Sequence, residues 1–330
     1  MEDAADGASA SVLRSDLRTR WAAAARSGDL DELVDLGVEL ADAGMLEMAA
    51  ECFESAARLG DAVASFNLGN TLRALGRPQE AAAAYEVAID RGETDALLNL
   101  GLLLIEAGSW GEAVAHLRRA ADGGQHHAWH PLGYALVQVG DVEGAREALV
   151  RSAESGDADG MVTLAVLLRG AGEERAAMTW LRAAAAAGHP SAAGQAAAWM
   201  WEVRRDVTLE PQLRRGAEES PDARKALAQL LESTGRAQEA IRVLEEDVAR
   251  GGVQHLLHLG NLYLDAGDYS RAAEMYERDI QTGDPLGYHN LGALLEERGD
   301  ISGAMEQYRI GASSGDSLAL QAYERLRTDR

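Results

Sequence analysis

A Leu-Gly dipeptide returns every 32 residues, at Leu36-Gly37, Leu68-Gly69, Leu100-Gly101 and Leu132-Gly133, and again at Leu259-Gly260 and Leu291-Gly292. Between the two groups the register runs on through Leu164-Ala165, Ala196-Ala197 and Leu227-Ala228 with one single-residue deletion, so nine copies share it. A unit of this length cannot enclose a core by itself. Its apolar side is buried only by stacking on the next unit, so the period dictates a solenoid before any other property of the chain is weighed.

Further columns travel with the dipeptide. Seven residues after its glycine comes another, as at Gly44, Gly76, Gly108 and Gly140. Five residues later stands alanine (Ala49, Ala81, Ala113, Ala145), and four beyond that a large apolar residue such as Phe53, Tyr85, Leu117 or Tyr276. A closing glycine follows, for example Gly60, Gly92 and Gly156. Glycine just past a helix end takes the left-handed cap conformation without a Cβ clash. The aspartates of Gly60-Asp61, Gly140-Asp141, Gly156-Asp157 and Gly299-Asp300 are placed to cap the helix that comes next. Each copy therefore reads as two short helices. The small columns let them approach closely, and the Leu and Tyr columns fill between copies.

This pattern resembles the tetratricopeptide repeat and its Sel1-like relatives over roughly residues 29 to 315. "FNLGNTLRALGRPQEAAAAYEVAI" (66–89) and "HLGNLYLDAGDYSRAAEMYERDI" (258–280) are similar to tetratricopeptide units, and "SAESGDADGMVTLAVLL" (152–168) to a Sel1-like junction. Two departures stand out. A Gly-Asp turn replaces the proline usual near the end of a unit, and the unit is shorter than either family's norm. The resemblance implies an all-α solenoid of about nine repeats with half-repeat caps. Residues 1–28 form a flexible start and an N-terminal capping helix, with Trp21 and Ala24 in the columns of Phe53 and Ala56 so that 10–27 reads as a lone second helix. The array spans 29–315, and 316–330 closes it as a lone first helix with a polar outer side. One copy, about 189–220, lacks the mid-repeat glycine and alanine and carries Trp199, Trp201 and Pro211; it reads as drift held by its neighbours, or as a hinge or docking site.

In the family geometry, first helices line the concave side. Positions three before and one and four after the Leu-Gly glycine would then face a groove, which places Phe66, Leu98, Leu102, Ile105, His130, Tyr134, Val166 and Trp201 along it. A row of apolar and aromatic side chains of this kind suits a peptide groove, although tight curvature could instead bury the same residues as core. The resemblance adds Asn67, Asn70 and Asn99, since asparagines at such places can bond an extended ligand's backbone.

The stretch "GGQHHAWHPLG" (123–133) gathers His126, His127 and His130. At helical spacing, pairs of them share a face, and His127 shares a column with Asp95 and Asp159, so a metal site is one reading. However, those acids stand at helix N-termini, where the helix dipole already favours them. Neighbouring helices are also about 10 Å apart, a long reach for a ligand set. His127 and His130 are accordingly read as groove rim, with no metal.

Charge narrows the partner. With 54 acidic against 31 basic residues the formal charge is −23, so a nucleic-acid partner is not expected and a basic protein or peptide is. No run of 18 apolar residues occurs, and a cytoplasmic location is expected. Cys52 is the single cysteine, mid-helix and read as a buried inert thiol. Asp247 and Asp279 share a column and are read as ion-paired with Arg250 and Arg278. No HExxH or phosphate-loop motif is present, and no cofactor is called for. The expected function is a non-enzymatic scaffold or adaptor binding a peptide or partner protein through apolar anchors and basic residues. The alternatives are a metal-binding protein or enzyme centred on the histidines, or a peptide-sensing regulator.

Overall fold

The computed structural model describes residues 17–328, and among them there are twenty α-helices, two 3-10 turns and no strand. Helix α1 occupies 17–27; the part of the expected N-terminal cap before it lies outside the described residues. Pairs follow: α2 (Leu30–Asp42) with α3 (Leu46–Arg58), α4 (Ala62–Ala74) with α5 (Pro78–Asp90), and α6 (Ala96–Glu106) with α7 (Trp110–Asp122). Next come α8 (Trp129–Gln138) with α9 (Val142–Glu154), and α10 (Ala158–Gly170) with α11 (Glu174–Ala186). The remaining pairs are α12 (Ala192–Arg204) with α13 (Glu210–Gly216), α14 (Pro221–Ser233) with α15 (Ala237–Ala249), α16 (Leu256–Asp265) with α17 (Tyr269–Gln281), and α18 (Leu286–Glu297) with α19 (Ile301–Ser313). A lone α20 (Ser317–Thr328) ends the series. Its outer side is less polar than expected, because Leu318 and Leu320 are exposed on it.

The columns act as their chemistry demands. Asp61, Asp141, Asp157 and Asp300 each accept a backbone N–H of the helix they precede. Gly76 closes α4 at φ +72°, with Arg77 N–H donating to Leu72 carbonyl, the bond that wraps the last turn. The large apolar column does two jobs. The Tyr85 ring lies against Gly69 of its own copy and also joins Ala96, Leu100 and Leu103 of the next.

The chain divides into two compact units, Met1–Ala187 and Gly188–Arg330, with the division at the opening of the irregular copy. Within the first unit the first helices α6, α8 and α10 pack directly on one another, whereas second helices meet mainly their chain neighbours. The second unit repeats this with α12 on α14 and α16 on α18.

The irregular copy corrects one expectation. Trp201 is 1 % exposed and Trp199 is buried too, so neither offers a docking surface. After α12 the chain turns at Arg205, a non-glycine residue at φ +50°, and a 3-10 turn (Val207–Leu209) brings Leu209 and Leu213 back onto Trp201. The left-handed conformation costs an ordinary residue about 1–2 kcal/mol. The Arg205 guanidinium lies 5.4 Å from the centre of the Trp201 ring, a stacking that offsets part of that cost.

A second correction concerns the acids. Asp247 pairs with Arg224 at 2.6 Å, not with Arg250, and both partners are buried. Asp279 forms no ion pair among the described residues; its Oδ2 is buried without a hydrogen-bond partner among them.

Candidate functional site

The first-helix face of the first unit carries most of the residues singled out from the sequence. Tyr134 is 42 % exposed and Val166 50 % exposed, on α8 and α10. Leu98, Leu102 and Ile105 on α6 and Phe66 on α4 are half-buried. Tyr134 is held edge-on against Trp110, ring centres 5.9 Å apart, so an exposed aromatic is fixed in place at little further entropic cost on binding. Phe66 packs against Tyr85 with centres 6.2 Å apart and is as much core as surface. Trp201, buried in the second unit, does not belong to this face.

The asparagines have a structural duty. Asn70 Oδ1 accepts from Tyr85 hydroxyl at 2.8 Å and from Asn99 Nδ2 at 2.7 Å. Two donors on one oxygen use both lone pairs and settle which way the amide is turned. The same triplet recurs in the second unit, where Asn261 Oδ1 accepts from Tyr276 hydroxyl and from Asn290 Nδ2. Neither bond uses Asn70 Nδ2 or Asn99 Oδ1, so a fixed donor and a fixed acceptor remain beside the apolar row. Asn67 is half-buried, and its carbonyl accepts from Thr71 hydroxyl.

The histidines separate. His126 and His127 are exposed on a 3-10 turn (His126–Ala128) rather than on the α-helix their spacing implied. His130 is the second residue of α8, half-buried, with Nε2 3.0 Å from Thr163 Oγ1. Potential ligand atoms of His130, Asp157 and Asp159 lie within 4.8 Å of one another, a set the sequence reading did not assemble because it paired Asp159 with His127 instead. Asp157 is already engaged, accepting the Asp159 N–H and the Ser152 hydroxyl. The cluster could take a small divalent cation only by competing with these bonds. Cys52 is 1 % exposed, and burial pushes its thiol up to about 12, which leaves it protonated and unreactive.

Tetratricopeptide repeat family models match residues 34–96, 67–128 and 256–286. No curated protein matches the chain in sequence. Solved structures extend the likeness in fold. The protective antigen c5321 of uropathogenic Escherichia coli, which displays an SLR fold, is 24% identical, with 94% of this chain and 73% of that one covered at a TM-score of 0.56. A Sel1 repeat protein from Oxalobacter formigenes is 22% identical over 96% of this chain and 91% of its own, TM-score 0.52. Pseudomonas aeruginosa pilF is 20% identical over 62% and 99%, TM-score 0.50. Residues 34–128 and 256–286 are thus tetratricopeptide repeats by sequence, and the chain as a whole has the solenoid fold of tetratricopeptide and Sel1 repeat proteins. This fold suggests a protein-interaction scaffold.

Proposed function

We propose that the protein is a non-enzymatic scaffold whose first unit binds an extended segment of a partner along the faces of α4, α6, α8 and α10. The observation that carries this reading is the apolar row through half-buried Leu98 and Leu102 and exposed Tyr134 and Val166, on helices that pack directly side by side. Asn70 and Asn99 support it with oriented amide groups that suit a peptide backbone. Asp95, Glu106 and Asp159 are exposed near the row and favour a segment with arginine or lysine beside its apolar anchors. Glu106 is already bonded to Arg73 at 2.7 Å, so it contributes less than its charge suggests.

The test is affinity capture from a lysate with the immobilised chain, identification of the captured segment by mass spectrometry, and titration of that segment as a synthetic peptide. Truncating Tyr134 and Leu102 to alanine should each weaken it by about 1–3 kcal/mol, the range of anchoring residues at interfaces. Unchanged affinity in a folded Tyr134/Leu102 double alanine variant would remove the first-helix face as the site.

A further inference from the structure

The second helices hold a separate feature. Between α3 and α5 lies a cleft of about 460 Å³ whose floor is Leu68 and Leu72 of α4. Its walls are the small residues Ala50, Ala83 and Ala84, and Val87, 39 % exposed, stands at its mouth. Leu68 is only half-buried, although its counterparts Leu100, Leu132 and Leu164 are covered.

The repeat shows what opens it. The column of Ala84 carries His116 in the next copy, half-buried with Nδ1 out of contact with water, and Leu100 beneath that copy is 1 % exposed. The column of Ala50 carries Ala82 and then Val114. At this cleft the facing residues, Ala50 of α3 and Ala84 of α5, are both alanine, and Leu68 is left partly uncovered. Removing apolar floor of this kind from water favours association.

The rim has one sign. Glu47, Glu51, Glu54 and Glu80 surround the cleft with Arg77 as the only cation in its lining. Arg77 serves Glu80 and, at 3.8 Å, Glu47, while Glu54 is bound by Arg58. Glu51 forms no ion pair among the described residues. An apolar slot ringed by surplus carboxylate is complementary to a large aliphatic or aromatic side chain flanked by arginine or lysine.

We infer that the α3/α5 cleft is a second docking surface, distinct from the first-helix face, that takes one apolar side chain of a basic partner segment. It does not depend on the function proposed above: α4 contributes to both faces, but with different residues, Leu68 and Leu72 here and Phe66 and Asn70 there.

The probe is a fluorescein-labelled helical peptide of alanine, leucine and arginine, with leucines along one face and arginines flanking them. Its control carries glutamate in place of every arginine. Anisotropy titrations on the full chain should show the arginine peptide binding, and the glutamate peptide at least tenfold more weakly. Ala84→His, which installs the side chain the next copy already accommodates, should fill the slot and weaken the arginine peptide at least tenfold. Ala50→Val should do so less strongly, and Glu51→Gln should lower affinity most at low salt. Because the first-helix face would take the same chemistry, Tyr134→Ala reports probe binding there, and the loss caused by Ala84→His should be equally large in a Tyr134→Ala background. The inference is overturned by absence of binding, by equal binding of both peptides, by a folded Ala84→His variant that binds as the parent does, or by loss only in Tyr134→Ala. Self-association abolished by Ala84→His would assign the cleft to a second copy and overturn it equally.

Discussion

A Cβ built on Gly260 would lie 2.5 Å from the Tyr276 ring, so the bare backbone of α16 is the seat on which α17 rests. Gly133 offers Leu149 the same seat, and Gly37 offers it to Phe53. This contact explains why glycine, a poor helix former, returns in the middle of first helices. Gly260→Ala should therefore destabilise by about 1–3 kcal/mol through overpacking. Gly111, also helical but with open space around it, should respond oppositely, Gly111→Ala gaining up to about 1 kcal/mol of helix propensity. Urea midpoints of the two variants check the pair; equal shifts would show that packing is not what selects glycine at 260.

Asp279 sets a pH dependence. Burial first, and then the like charge of Asp284, push its carboxyl up to about 6. The neutral acid is the form the fold prefers, so its contribution is fully present below the unfolded value near 4 and is lost as pH rises through 6. An asparagine keeps the shape without the charge. Asp279→Asn should match the parent near pH 4 and exceed it by on the order of 2 kcal/mol at pH 8. Exposed carboxylates held low by arginine, such as Glu239 at about 2, act with the opposite sign in both proteins and cancel in the difference. A constant gap across pH 4–8 would contradict the assignment.

Leu68 shows where sequence reading stops. Its column established the helix pair, the register and the burial of Leu100, Leu132, Leu164, Leu259 and Leu291, because periodicity reports which residues face one neighbour. It could not report that Ala50 and Ala84 are too small to cover Leu68, since depth is set by side chains on two other helices. Trp201 failed similarly: the pattern gave its column, but the turn at Arg205 that folds Leu209 and Leu213 over it follows no repeat rule. The partner of Asp247 was also misread, because Arg224 stands 23 residues away on the preceding helix, α14. The energetic counterpart is measurable. Leu100→Ala should cost about 2–5 kcal/mol, and Leu68→Ala clearly less, since part of its side chain already meets water.

Zinc separates the readings of the histidine stretch. The His130, Asp157 and Asp159 atoms are close enough for a shared ion, but Thr163, Ser152 and the N–H of Asp159 already hold two of the three side chains. Equimolar zinc should raise the melting temperature by no more than about two degrees, because only tight binding to the folded state stabilises it through linkage. A larger rise that disappears in His130→Ala would establish a metal site there instead.

The Asn70 ladder should behave as a coupled unit. Tyr85→Phe removes one donor from Asn70 Oδ1 but leaves the bond from Asn99, so its cost should stay near 1 kcal/mol. Asn70→Ala strands both the largely buried Tyr85 hydroxyl and Asn99 Nδ2, and should cost about 1–3 kcal/mol. In the double variant the hydroxyl is no longer there to be stranded, so the two costs should fall short of adding by about 0.5–1.5 kcal/mol. Ligand titration then separates scaffold from contact. If Asn70 serves the groove only by fixing Asn99, Asn99→Ala and Asn70→Ala should weaken a bound peptide equally. If its own Nδ2 donates to the peptide backbone, Asn70→Ala should be the worse of the two. A cycle that adds without coupling would mean that the triplet, though repeated at Tyr276, Asn261 and Asn290, holds neither the helices nor the amides in place.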